Sequence, residues 1–304
     1  MSKSKLDPLE YYASHGLITD PKEYSFMLNG LPNEISRLCQ IVQGTLIHIF
    51  WAERQGAKLP ENRKNEVNIR RISQKLALIR KMNNRPLNTA RPLEKRLVGN
   101  CRDFTIMLYT MLQHQKVPVR ARCGFATDFD PGRYEDHWVC EHWNSSQQRW
   151  VMVDAQLDVF QRKALQIKFD PCSMPGGRFL PAGEAWQLCR EGKADPELFG
   201  IFDMREMDFI KGNLLRDLAA LNKMGLLPWD CWGLILKSTT TLSKTEQALL
   251  DHAATLALAD NSDFQEMRAT YENNSSLRVS RFIRSFSPTA GAQTIDIFED
   301  KPNQ

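Results

Sequence analysis

Apolar residues in the first hundred positions recur at intervals of three and four, the spacing of one face of an α-helix. The run from Ile35 to Phe50 predicts one long helix, which Asn33 caps and which ends near Gly56. A second helix is predicted over about residues 61–82. We therefore expect the region 1–96 to be helical.

The polar face of the second predicted helix is basic. We interpret this face as a solvated surface and not as a nucleic-acid contact, because no aromatic side chains are interleaved with the charges. The basic residues are Arg63, Lys64, Arg70, Arg71 and Lys75.

The pattern of apolar residues changes after position 96. Helical spacing runs from residue 101 to about 115, and β-rich segments follow at 119–125, 137–143 and 150–153. This order predicts an α+β core over 97–156, in which one helix packs on an antiparallel sheet. Helical patterns return over 157–285 and are expected to pack on the core, whereas 286–304 is expected to be a flexible tail.

The composition is that of an ordinary globular protein. Of the 304 residues 42% are hydrophobic and 25% are charged, which excludes a disordered chain or a coiled-coil rod. The net charge of +4 is too small to indicate a nucleic-acid or membrane-surface partner. No apolar run approaches the roughly 18 residues of a membrane span, and the first residues lack the apolar stretch of a secretory signal.

The seven cysteines are scattered singly, without a Cys-x-x-Cys pair. This spacing excludes a zinc ribbon and a thioredoxin motif. An odd number of cysteines without an export signal favours thiols in a reducing cytoplasm. We therefore expect a cytoplasmic protein that uses no metal and no cofactor.

Cys101 stands at the start of the helix that opens the predicted core. It precedes Phe104 by three residues, so it lies on the apolar stripe of that helix. The N-terminus of a helix stabilises an anion and lowers the pKa of a thiol placed there. We therefore expect Cys101 to be a thiolate nucleophile and the most reactive of the seven thiols near neutral pH.

His137 and Asp154 lie on two neighbouring predicted strands. If the connection spans residues 144–147, Trp143 pairs with Gln148 and His137 lies directly opposite Asp154. A thiol, an imidazole and a carboxylate in this arrangement form the set used in nucleophilic acyl transfer.

Other polar residues of the core compete for these roles. His142 would face away from Asp154 because side chains alternate along a strand, and His137, Cys140 and His142 do not share one face as a zinc site requires. Glu141 is expected at the rim of the site, and Asp103 is expected to cap or form a salt bridge near the helix start.

Four short motifs follow one another in this segment. They are Gly-x-Cys-x-Asp-Phe at 99–104, Val-Pro-Val-Arg at 117–120, His-Trp-Val at 137–139 and Arg-Trp-Val-Met-Val-Asp at 149–154. In order and spacing, residues 97–156 resemble the transglutaminase-like superfamily. The resemblance implies a papain-like α+β fold and acyl transfer from an amide or ester through a thioester.

By position the resemblance makes Cys101 the nucleophile, His137 the general base and acid, and Asp154 the orienting carboxylate. It also implies an oxyanion hole formed by the backbone N–H of the nucleophile and an upstream group that the sequence does not identify.

The resemblance leaves several functions open. The acyl group of a peptide or protein amide could pass to water, as in a protease or amidase, or to an amine. An arylamine N-acetyltransferase-like enzyme uses a similar set of residues, but its Arg-Gly-Gly-x-Cys signature is absent, since Val98-Gly99-Asn100 precedes Cys101. A non-catalytic binding module on the same core usually lacks one of the three residues, all of which are present here. Neither nucleic acid nor membrane is expected as a partner.

Overall fold

The computed structural model describes residues 6–299 of the chain. Its α-helices are α1 (Pro8–Tyr12), α2 (Ile35–Thr45), α3 (Ile72–Met82), α4 (Cys101–His114), α5 (Val159–Ala164), α6 (Ala182–Arg190), α7 (Glu206–Leu221), α8 (Lys244–Leu258) and α9 (Phe264–Asn273). Its strands are β1 (Leu46–His48), β2 (Leu97–Gly99), β3 (Val119–Ala126), β4 (Tyr134–Asn144), β5 (Arg149–Val153), β6 (Phe179–Pro181), β7 (Phe199–Ile201), β8 (Met204–Arg205), β9 (Asp230–Cys231), β10 (Phe282–Ser287) and β11 (Gly291–Asp296).

A six-stranded sheet lies at the centre of the fold. Its order is β6-β3-β4-β7-β8, and β5 also pairs with β4. Strand β4 is long enough for β7 to run parallel to its first residues while β5 pairs antiparallel with its last ones. The α+β class expected from the sequence is confirmed, but β6, β7, β8 and β9 come from the region 157–285, which was expected to be helical.

The first long helix is shorter than its apolar pattern predicted. Helix α2 ends at Thr45, and the chain continues directly into β1, which pairs in parallel with β2 and places His48 opposite Gly99. All three residues of β1 are buried. A short apolar run that is buried all round fits a helix and a strand equally well, and pairing with β2 decides between them.

The second long helix is interrupted. A 3₁₀ segment over Glu61–Asn68 and an extended stretch precede α3. The interpretation of the basic face as solvated is wrong for Arg70, Arg71 and Lys75, which are buried, whereas the side chain of Lys64 is 40% exposed. Arg70 is buried against Asp230 at 2.7 Å, and Lys75 is fully buried. These cations are buried because distant parts of the chain bring carboxylates to them, which local periodicity does not record.

The chain after residue 281 is also more ordered than predicted. Strands β10 and β11 form a hairpin, and β10 pairs with β9. Buried and exposed residues alternate along β10, with Ile283, Ser285 and Ser287 turned inward. The expectation of a flexible tail is therefore wrong for 286–299, and its last residues, 300–304, lie outside the described residues. Within residues 6–299, no helix is long and apolar enough to cross a membrane.

Candidate active site

Helix α4 begins at Cys101 because Asn100 and Asp103 form a reciprocal cap. The Asn100 side chain accepts from the backbone N–H of Asp103 at 3.3 Å, and Asp103 Oδ2 accepts from the backbone N–H of Asn100 at 3.1 Å. The cap satisfies two backbone donors that a helix start otherwise leaves free. It fixes the thiol of Cys101, which is 8% exposed, at the first turn.

Asp103 also anchors this turn through buried ion pairs. Its Oδ1 lies 3.0 Å from Lys75 Nζ and 3.0 Å from Arg102 Nη1, and all three side chains are inaccessible to solvent. Arg102 further donates to the carbonyl of Gly225. The prediction that Asp103 caps or forms a salt bridge is confirmed.

Cys101 does not have the low pKa that its helix position suggested. Burial raises the pKa of the thiol well above its usual range, and Asp136, Asp103 and Asp154 raise it further. The backbone N–H of Arg102 acts in the opposite direction but does not compensate. Burial and the three carboxylates therefore favour the neutral thiol of Cys101 over its thiolate.

A different cysteine has the lowered pKa. Cys172 is partly exposed, and a hydrogen bond with the buried Cys39 lowers its pKa. Solvent exposure and thiolate character together govern alkylation. The expectation that Cys101 reacts first near neutral pH is therefore not supported by its environment in this structure.

His137 and Asp154 are in direct contact. His137 Nε2 lies 2.8 Å from Asp154 Oδ2, and both side chains are 1% exposed. The predicted register is wrong by two residues: Trp143 pairs with Trp150, because the connection spans residues 145–148. A shift of two keeps side chains on the same face, so the contact is made diagonally.

The backbone around Asp154 fixes its carboxylate. The N–H of Asp154 donates to the carbonyl of Pro171 at 2.9 Å, and Asp154 Oδ1 accepts from the N–H of Gln156 at 2.8 Å. Asp154 Oδ2 remains for His137, whose ring packs edge-on against Phe129 with 4.7 Å between centroids. Asp154 thus contacts the imidazole and also acts electrostatically on the Cys101 thiol.

Helix α4 packs against the face of β4 that carries Cys140, whose thiol donates to the carbonyl of Thr105 at 3.2 Å. Side-chain alternation places His137 on the other face. Among the described residues, no hydrogen bond joins His137 to the Cys101 thiol.

The neighbours of His137 in β4 differ in part from expectation. Glu141 is not a rim residue: it is buried, and its carboxylate accepts from Arg120 at 2.6 Å and from Arg122 at 3.0 Å. Asp136 is buried on β4, where Asn213 donates to it at 2.8 Å, and burial raises its pKa. His142 pairs with Val119 in the sheet.

His48 is a second histidine of this region that the sequence analysis missed. It is 7% exposed, its Nδ1 accepts from the backbone N–H of Phe50 at 3.2 Å, and its ring lies 6.2 Å from that of Phe104. Burial, reinforced by the nearby His137, lowers the pKa of His48 to about 3. No local motif marks His48, because only the parallel pairing of β1 with β2 brings it to the start of α4.

The described part of the chain contains no cluster of three or more His, Cys, Asp or Glu side chains that could hold a metal ion. With a neutral thiol, an imidazole bound to a carboxylate and a neutral second histidine, the side chains present are suited to proton transfer and nucleophilic attack.

Part of the chain matches a known protein family. Residues 61–155 match the family model of the transglutaminase-like superfamily. Over this segment the chain is similar to that superfamily. The match contains α4, β3, β4 and β5, and it includes Cys101, His137 and Asp154.

A search of solved structures found a provisionally named cysteine protease from Cytophaga hutchinsonii. It is 17% identical over 42% of this chain and 43% of its own, with a TM-score of 0.17. The chain thus spans less than half of that protein, and the TM-score is too low to establish a shared fold. None of the curated proteins matches the chain.

Proposed function

We propose that the protein is a transglutaminase-like thiol enzyme that transfers the acyl group of a peptide or protein amide through a thioester on Cys101. The observation that carries the proposal is the buried contact of 2.8 Å between His137 Nε2 and Asp154 Oδ2. An imidazole held by a buried carboxylate is the element of a catalytic triad that fixes the tautomer of the base.

The contact assigns the two imidazole nitrogens of His137. A carboxylate accepts hydrogen bonds, so Nε2–H donates to Asp154 and Nδ1 is left as the base. Because burial keeps Cys101 a neutral thiol, Nδ1 takes the proton as sulfur attacks the acyl carbon. The imidazolium then returns the proton to the leaving amine, and water or an amine cleaves the thioester with the same base.

His48 is suited to stabilise the oxyanion in this mechanism. Its Nδ1 accepts from Phe50, so the neutral ring carries its proton on Nε2. Nε2 has no hydrogen-bond partner among the described residues, and the lowered pKa keeps the ring a neutral donor at neutral pH. Together with the backbone N–H of Cys101, it would supply the two donors that a tetrahedral intermediate requires.

The proposal is tested with a peptidyl acyloxymethyl ketone, which alkylates an active-site cysteine, followed by peptide mapping. Cys101→Ala is expected to abolish labelling. Asp154→Asn should slow it at least tenfold, and by less than the roughly 10⁴ that the orienting Asp contributes to turnover in the serine-protease template.

His137→Ala is expected to shift the labelling of Cys101 to higher pH, because the base that takes its proton is gone. His142→Ala is the matched control, since this histidine lies on the same strand but on the other face. If His142→Ala changes the pH profile and His137→Ala does not, the proposed base is wrong. If another cysteine carries the probe in the wild-type protein, the nucleophile is wrong.

A further inference from the structure

Four aromatic side chains are grouped next to the candidate active site and are only partly covered by protein. We call the group formed by Phe50, Trp51, Phe160 and Phe202 the aromatic rim. Phe50 is 55% exposed, Phe202 is 59% exposed and Phe160 is 42% exposed. The rings of Phe50 and Phe202 lie 5.3 Å apart at 82°, and those of Trp51 and Phe160 lie 6.3 Å apart at 84°. Edge-to-face pairs of this kind give aromatic side chains a fixed geometry even at a surface.

The rim is continuous with the catalytic candidates. The ring of Phe50 lies 5.5 Å from that of His48, and His48 in turn interacts with His137. His48 also lies 6.2 Å from Phe104, one turn after Cys101 on α4. A substrate that reaches Cys101 past His48 therefore meets the ring of Phe50 beside this histidine.

Phe202 is held in a backbone conformation that its side chain does not favour. It is the first of two residues in the turn between β7 and β8, where Ile201 pairs with Met204. Its φ is +53°, in the left-handed region where such turns usually carry glycine or asparagine. A phenylalanine there combines backbone strain with exposed apolar surface, and neither contributes to the stability of the fold.

We propose that the aromatic rim binds a large apolar side chain of the acyl donor, next to the amide that Cys101 attacks. This inference rests on the proposed function and specifies its substrate class as peptides with an aromatic or bulky aliphatic residue beside the scissile bond. The partner is apolar because Phe50, Phe160 and Phe202 expose uncharged ring surface. The ring of Trp51 contributes less, since the guanidinium of Arg54 lies 5.0 Å from its centroid. Contact with that side chain covers the surface that the strained turn exposes.

The experiment compares two peptidyl acyloxymethyl ketones that differ only in having Phe or Ala beside the reactive carbon. The second-order rate of Cys101 labelling is measured by intact mass for each probe. The wild-type protein is expected to prefer the Phe probe about tenfold, as one aromatic contact in a pocket provides. Phe50→Ala and Phe202→Ala should each reduce this preference, the ratio of the two rates measured on the same variant, to about twofold or less.

Two further variants separate recognition from stability. Phe286→Ala is the matched control, because Phe286 is 49% exposed on β10 and is not part of the aromatic rim, and it should keep the full preference. Phe202→Asn suits the left-handed backbone, so it should raise the melting temperature and still lose the preference. If Phe202 had a merely structural role, a variant with a higher melting temperature would not lose the preference for the Phe probe.

The outcomes distinguish this inference from the proposed function. If the wild-type protein is labelled at Cys101 equally fast by both probes, or if Phe202→Asn keeps the preference, the rim does not bind substrate, whereas the proposed function stands. If neither probe labels Cys101, both proposals are overturned.

Discussion

Glu141→Gln is expected to remove much of the stability that a buried charge cluster gives the central sheet. The Glu141 carboxylate accepts from Arg120 and Arg122, and Arg122 also forms an ion pair with Asp217 of α7 at 2.8 Å. The cluster therefore joins β3 and β4 to a helix from a different part of the chain. Glutamine can still accept one hydrogen bond, but it leaves part of the positive charge uncompensated.

The pKa of Glu141 sets the magnitude of the effect. Burial by itself would raise this pKa, but Arg120 and Arg122 outweigh it and lower the pKa from 4.5 to about 2. At about 1.4 kcal/mol per pH unit, this difference stabilises the folded state by about 3 kcal/mol. Because the folded pKa is the lower one, the contribution is complete above pH 4.5 and is lost as the pH falls from 4.5 through about 2.

Urea unfolding followed by tryptophan fluorescence, at pH 7 and at a series of acid pH values, measures both features. Glu141→Gln should reduce the free energy of unfolding by about 3 kcal/mol at pH 7 and should approach the wild type near pH 2. Glu246→Gln is the control. Hydrogen bonds from Lys237 and Ser243 lower the pKa of Glu246 to about 2 as well, but this carboxylate lies at the surface, where water screens it.

The control variant should therefore change stability much less, and its effect should decrease with added salt. The reasoning is refuted if Glu141→Gln costs less than about 1 kcal/mol at pH 7. The reasoning is equally refuted if the free energy of unfolding of Glu141→Gln falls between pH 4.5 and 2 with the same slope as that of the wild type.

Three other outcomes follow from the buried contacts. Asp103→Asn should cost about 3–5 kcal/mol in urea unfolding, because Lys75 and Arg102 lose their buried counter-ion, and a loss below about 1 kcal/mol would contradict this. Gly124→Ala should lower the melting temperature, because a Cβ there would lie 2.1 Å from the carbonyl oxygen of Leu180 and force β6 away from β3; an unchanged melting temperature would be the contrary result. In iodoacetamide labelling at pH 7, Cys172 should react before Cys101, whose rate should still rise above pH 9; peptide mapping that finds Cys101 modified first would contradict the raised pKa of its thiol.

Local sequence patterns predicted the core because its determinants are close together in the chain. The cap of α4 spans only Asn100 to Asp103, and the alternation of side chains along β4 spans a few residues on either side of His137. The predicted contact between His137 and Asp154 is present although the predicted register is wrong, because a shift of two residues leaves each side chain on the same face of its strand. A shift of one residue would have separated them.

The sequence by itself determined the α+β class, the position of Cys101 at a helix start and the shared face of His137 and Asp154, since each depends on periodicity within one short segment. Only the tertiary structure decided that Lys75 is buried, that His48 lies beside the start of α4, and that burial raises the pKa of Cys101. The physical reason is the same in each case. Burial and the pKa of a side chain depend on the charges and atoms that surround it, and for these residues the decisive neighbours lie tens of residues away along the chain.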